Sequence, residues 1–254
     1  MIVRPVCADD LRTVRRIFRE TLVLGRPVVL AEDLLDRYES LCLGWYLGPG
    51  RADAAVVEDR GRVVGYALVC TDAEADRAWE RREAARFVRF VVPRLMWRRW
   101  DRRTAQFCRL RLRDGLDLWR AGADPPARAH AHVNVVSGRR TGQAGRLLLD
   151  HVDARCRARG LTAWYGEINA PRGRRAAALE RLGVHVVRAH PNRTLSWLGG
   201  APVDRLTVLR QVPLCSAVRR SVGRRRWKLV PRTTRRRARR STPKTPLPAA
   251  SSGT

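Results

Sequence analysis

The chain has 254 residues, 44% of them apolar, and a formal charge of +28. That is ample for a packed core, while no apolar run approaches the ~18 residues that a bilayer-spanning helix needs. Six cysteines (7, 42, 70, 108, 156 and 215) without CxxC spacing argue against a zinc ribbon or a disulfide frame and suit a reduced cytosol.

MIVRPV (1–6) predicts a strand, after which Asp9 or Asp10 caps a helix with Leu11, Val14, Ile17 and Phe18 on one face. A second amphipathic stretch, 32–43, is broken by LGPGR at 47–51. AAVVED-RG-RVVGYALVC (54–70) then predicts a hairpin turning on Arg60-Gly61.

Residues 72–128 predict two helices split near Pro93, because Phe87, Phe90, Val91, Met96, Trp97, Trp100, Phe107 and Leu110 recur at helical spacing. Between Arg86 and Arg113 there are ten arginines and one acid, Asp101. Three readings stand for this segment: a helical pair whose arginines are simply solvated, a basic amphipathic surface that docks on anionic membrane, or a lid that recognises an anionic acceptor.

The central stretch, HAHVNVVSGRRTGQAGRLLLDHVDARCRARG (130–160), predicts a strand over 129–136, a loop over 137–145 and a helix stopping at Gly160. A strand feeding such a loop into a helix makes an anion site, since the first-turn N–H groups and the helix dipole point at one spot. Arg139, Arg140 and Arg146 bracket that spot, which suits a diphosphate. His130 and His132 have the spacing of a metal pair, but no third ligand is in sight and no metal is expected.

Beyond it, 161–169 predicts a strand, 172–182 a helix ending at Gly183, 184–189 a strand, and 193–212 a hairpin around Gly199-Gly200. After Asp204 there is no acidic residue, and 214–254 holds thirteen Arg and Lys residues. This tail predicts a disordered basic arm, either merely solvated or attached nonspecifically to nucleic acid or an anionic leaflet. With no signal peptide, the expectation is a cytoplasmic protein, peripheral to membrane if the basic segments engage it.

The loop is not a Walker loop, since no Gly-Lys-Ser/Thr follows the glycines. It resembles the pyrophosphate loop of the GNAT acetyltransferase superfamily, Arg/Gln-x-x-Gly-x-Gly/Ala at a helix start. Two registers fit: Arg139-x-x-Gly142-x-Ala144, and Arg140-x-x-Gln143-x-Gly145, the second placing Leu148-Leu149-Asp150 and the Gly160 stop without a gap. RVVGYALV also resembles the superfamily's strand-3 pattern, and the order of elements over 1–71 and 129–190 follows the same plan.

The resemblance implies an α/β protein with a mixed, mostly antiparallel sheet flanked by helices, carrying a helical insert (72–128) between strands 3 and 4. The domain would span 1–213, with the tail (214–254) outside it. Acetyl-CoA would lie between splayed strands 4 and 5, paired with Val135 and Val136 and contacted by Arg139, Arg140, Thr141, Gly142, Gln143, Ala144, Gly145, Arg146 and Arg172.

An acceptor amine, or less often a hydroxyl, would attack the thioester directly. Glu167 is the candidate base, a lone carboxylate whose pKa desolvation would raise; His132 and Asn134 would orient acceptor or water, and the N–H near Val136 would hold the oxyanion. The tyrosine that commonly protonates the departing thiolate is Leu179 here, and the preceding asparagine is Arg172. The net charge points to an anionic small-molecule or glycan acceptor. The rival reading is a catalytically weakened adaptor, recruited to membrane or nucleic acid by its insert and tail.

Overall fold

A computed structural model describes residues 1–122, 125–139 and 142–212, without the Arg139 side chain. Arg140, Thr141 and the tail at 214–254 lie outside the described residues. The described residues fall in one compact unit, Met1–Cys215.

β1 (Ile2–Pro5), β2 (Ala55–Asp59) and β3 (Arg62–Cys70) pair as an antiparallel meander. The β2–β3 turn puts Arg60 at φ 51° and Gly61 at φ 73°, the left-handed pair that suits a tight hairpin. β3 is buried along its last seven residues because helices cover both of its faces. Tyr66 and Leu68 join Val14, Ile17, Leu43 and Tyr46, from α1 (Leu11–Thr21) and α2 (Glu32–Leu47), on one face. Ala67 and Val69 join Leu148 and Val152, from α5 (Gln143–Ala158), on the other. The strand's period of two therefore divides one apolar run between two cores.

Between α1 and α2 the carboxylate of Glu39, 1% exposed, is held by Arg15 at 2.5 Å and Arg19 at 2.8 Å. A buried charge needs such partners, because removing it from water alone is costly.

The insert is α3 (Ala73–Met96) and α4 (Arg102–Ala121). The expected break at Pro93 does not occur: α3 runs through it, and the chain turns at Trp97–Asp101, where Arg98 takes φ 49°. Asp101 then caps α4, accepting from the N–H groups of Arg103 and Thr104. Phe87, Val91 and Phe107 of this pair pack on Leu34 and Tyr38 of α2, so one side of the insert is core.

β4 (Ala129–Val135), β5 (Ala163–Pro171), β6 (His185–Pro191) and β7 (Val203–Gln211) complete a seven-stranded sheet ordered β1-β2-β3-β4-β5-β7-β6. Among the described residues, only β4 and β5 are parallel neighbours. Two expectations are corrected here. The helix expected over 172–182 is only α6 (Ala176–Glu180), because Gly173 (φ 72°) and Arg175 (φ 78°) take left-handed backbone before it. The expected hairpin over 193–212 is instead a helix, α7 (Arg193–Gly199), followed by β7, which inserts between β5 and β6.

Candidate active site

β4 and β5 are in register at only two pairs, Ala129 with Trp164 and His130 with Tyr165. β4 meanwhile pairs with β3 along six residues, from His130 with Cys70 to Val135 with Gly65. The Val136 N–H donates to Val64 O at 3.0 Å. Because antiparallel ladders alternate, the backbone polar groups of Val133 and Val135 then point away from β3, into the opening beside β5.

The opening has a cavity on each face of the sheet. Towards α1, α2 and α4 lies one of about 340 Å³, floored by His132, Asn134 and Glu167 and bounded by Tyr66, Arg111 and Arg205. Towards α5 and α6 lies an apolar one of about 160 Å³, lined by Val133, Gly145, Leu149, Ile168, Leu179 and Val208. Two compartments meeting at one break in a sheet can hold two reactants end to end.

On the polar side, strand alternation brings His130, His132 and Asn134 to one face, as expected. The Asn134 amide donates to the Tyr66 hydroxyl at 3.0 Å. His132 packs edge-on to Tyr46 with ring centres 5.2 Å apart, and burial with the nearby Arg205 cation lowers its pKa to about 4. The Tyr46 hydroxyl lies 2.6 Å from Nδ1 of His130, whose ring stacks on Tyr165 at 4.6 Å. Burial holds His130 well below the ordinary histidine range. Both imidazoles are therefore neutral at pH 7. Among the described residues no group of three or more His, Cys, Asp or Glu is placed to hold a metal ion.

Glu167 does line the cavity, but it is not a lone carboxylate: Arg205 of β7 forms an ion pair with it. The solitary carboxylate expected from sequence is thus corrected to one in contact with a guanidinium. Val136 is also corrected, since its N–H is taken by Val64 and is not available to an oxyanion. Arg172 is engaged too, by Asp204 at 3.0 Å. Tyr165, considered as a substitute acid, stacks on His130 and has its pKa pushed up to about 12 by burial.

At the phosphate loop, Gly142 takes φ 81° immediately before α5, a backbone that favours glycine. Ala144 is fully buried against the sheet, whereas Gly145 borders the apolar cavity with open space where a side chain would go. Gln143 and Arg146 are exposed on the first turn. Leu179, at the position of the missing tyrosine, lines the same cavity.

Sequence reasoning missed Arg111 and Arg205. Arg111 reaches the polar cavity from α4, its guanidinium 5.1 Å from the centre of the Tyr38 ring. Its only signal was membership of the arginine-rich insert. Arg205 shares a face of β7 with Thr207, the register partner of Glu167, and its own place opposite Asn169 brings it to Glu167. That pairing depends on β7 lying beside β5, which a hairpin reading of 193–212 hides.

The strands diverge beyond Gly166, where a Cβ would lie 2.8 Å from Ala131 O. Gly166→Ala must therefore push β5 off β4, and is expected to lower unfolding stability by about 1–3 kcal/mol. A urea midpoint unchanged from the parent would show that the backbones are not held this close.

No protein-family model and no curated protein sequence matches the chain. Solved structures do match. A crystal structure of SsHAT superposes with a TM-score of 0.60 at 21% identity, covering 84% of this chain and 98% of that one. A putative acetyltransferase, yncA of Salmonella typhimurium, solved with acetyl-CoA, has a TM-score of 0.47 at 15% identity, covering 85% and 95%. Naa20 of Chaetomium thermophilum, in complex with a bisubstrate analogue, has 0.44 at 18%, covering 89% and 93%. The mixed sheet, broken between its parallel strands and flanked by helices, is the architecture that the sequence resemblance implies: the chain has the GNAT acetyltransferase fold.

Proposed function

We propose that the protein transfers an acetyl group from acetyl-CoA to the amine of a small acceptor carrying a carboxylate or another anionic group. The reading is carried by one observation, the break between β4 and β5 with an apolar compartment on one face and a polar, arginine-bearing one on the other. Residues of the apolar side suit the thioester arm: the backbone of Val133 faces the opening, and Gly145 leaves room beside it. Arg139, Arg140 and Arg146, with the first turn of α5, suit the phosphates of coenzyme A.

In this reading the acceptor enters from the polar side. Arg111 and Arg205 line that compartment, and Glu167 is already paired with Arg205, so the local balance favours an anion, in agreement with the net charge. Attack requires a neutral amine, since a protonated one has no lone pair. Glu167 is the carboxylate at hand to take the proton, with Asn134 and His132 orienting the amine. The oxyanion donor is the backbone N–H of Val133, which faces the opening, because the Val136 N–H is occupied. No side-chain acid is assigned to the departing thiolate, which is a modest base and leaves without one.

The test is calorimetric titration of the full chain with acetyl-CoA at two salt concentrations, followed by an acceptor screen. Stoichiometric, salt-resistant binding is expected, lost in Gly145→Glu. Arg111→Gln is expected to raise KM for a carboxylate-bearing amine about tenfold while leaving acetyl-CoA affinity unchanged. Binding abolished by moderate salt would remove the cofactor and favour the adaptor reading, and turnover of polyamines alone would overturn the acceptor class.

A further inference from the structure

The face of the insert that points away from the core carries exposed apolar side chains. Along α3, Val88, Val92 and Met96 recur every fourth residue and are 44%, 38% and 74% exposed; Trp97, in the turn that follows, is 71% exposed. Side chains four apart share one helix face, so these form a continuous apolar stripe ending at the α3–α4 turn. Beside that end lies an open cavity of about 650 Å³ lined by Arg94, Arg98, Arg102, Arg103 and Arg109, with Trp100 and Trp197 in its walls. Among the described residues, only Arg94 of the five has a carboxylate partner, Asp33 at 3.2 Å. The nearest acid in the turn, Asp101, is spent on the N-terminus of α4.

An apolar stripe beside uncompensated guanidinium groups costs solvation unless something covers it. We propose that this end of the insert docks on an anionic lipid leaflet, with phosphate headgroups in the arginine-lined cavity and Met96 and Trp97 entering the headgroup–acyl boundary. Charge complementarity selects an anionic surface. The aliphatic stripe selects lipid over nucleic acid, because a phosphate backbone rewards arginine and stacking aromatics but gives valine and methionine nothing to bury against. Arg111, which lines the acceptor cavity, lies on the opposite side of α4 from Arg102 and Arg109, so docking leaves that cavity's own lining uncovered.

The test is flotation of the full chain, without coenzyme, with vesicles of phosphatidylcholine alone or mixed with phosphatidylglycerol. Binding to the mixed vesicles only is expected. Arg98→Ser, Arg102→Ser and Arg103→Ser should each weaken it about fivefold. Met96→Ser with Trp97→Ser should weaken it about tenfold, leaving affinity for a DNA duplex unchanged. These side chains are exposed, and circular dichroism checks that each variant folds. Equal vesicle binding by all variants would assign the attraction to the basic tail and overturn the proposal. A duplex that binds more tightly than the vesicles, with the same loss in the Met96 and Trp97 variant, would overturn it in favour of nucleic acid. Vesicle binding is read separately from acetyl transfer, so either proposal can fail alone.

Discussion

Asp153→Ala is expected to lower unfolding stability by about 3–5 kcal/mol, the cost of breaking a buried ion pair from one side. Asp153 is 2% exposed on α5. Its carboxylate takes Arg210 of β7 at 2.8 Å and 3.0 Å, and the Trp164 indole of β5 at 2.8 Å. Three elements thus meet on one carboxylate, under the sheet half that carries the candidate site. Removing it leaves the Arg210 guanidinium, 14% exposed, without its counter-charge, and an indole N–H without an acceptor. Asp153→Asn keeps an acceptor for the indole and loses only the charge, so it should cost less. Urea unfolding of the two variants decides the matter, and a loss below about 1 kcal/mol in Asp153→Ala would mean that water replaces the carboxylate.

None of that node is visible in the sequence, although its members are. Asp153 reads as one more polar residue in an amphipathic helix, and Arg210 as one more base in an arginine-rich chain. The strands and the helices of the two halves were legible because periodicity is local, and the Arg60-Gly61 turn and Gly160 stop are local too. What failed was decided by distant residues. The segment at 193–199 looked like a strand, yet its first amides are met by a carboxylate 80 residues away: Asp114 accepts from Arg193 N at 3.2 Å and Thr194 N at 3.1 Å. With Asn192 also accepting from Leu195 N at 2.9 Å, a seven-residue helix forms that local propensity would not support alone.

The same division holds in the site. Alternation along β4 was enough to place His132 and Asn134 on one face, and Glu167 of β5 lines the same cavity. The charge beside it was not legible, because Arg205 reaches Glu167 only through the β5–β7 register. Val136 failed for a similar reason: whether an N–H is available depends on which neighbour the strand's register gives it, here Val64.

The second large effect is expected from pH. His130 and His132 are held neutral by burial, aided by Arg205, with His132 at about 4. An unfolded histidine titrates near 6.5, so between these values the unfolded chain binds protons that the folded chain refuses. Folded pKa values that are depressed give stability present above about 6.5 and lost as pH falls towards about 4, roughly 3 kcal/mol for His132 alone. The charged and titratable groups facing the pair are Arg205, Tyr46 and Tyr165, with Asp76 and Glu80 of α3 nearby. Burial raises both Asp76 and Glu80, the latter to about 7, and these opposite contributions stabilise as pH falls and offset much of the loss. Asp10, lowered chiefly by its hydrogen bond from Arg4, destabilises only below the ordinary carboxylate range, outside the histidine window. Relative to a His130→Gln, His132→Gln variant, which keeps only the carboxylates' gain, urea midpoints of the parent should therefore fall as pH drops from 7.5 to 4.5. Equal slopes would mean that the imidazoles gain their protons without leaving the fold. With the histidines uncharged down to this range, Arg111 and Arg205 supply the positive charge of the polar compartment at neutral pH, which keeps its preference for an anionic acceptor independent of imidazole titration.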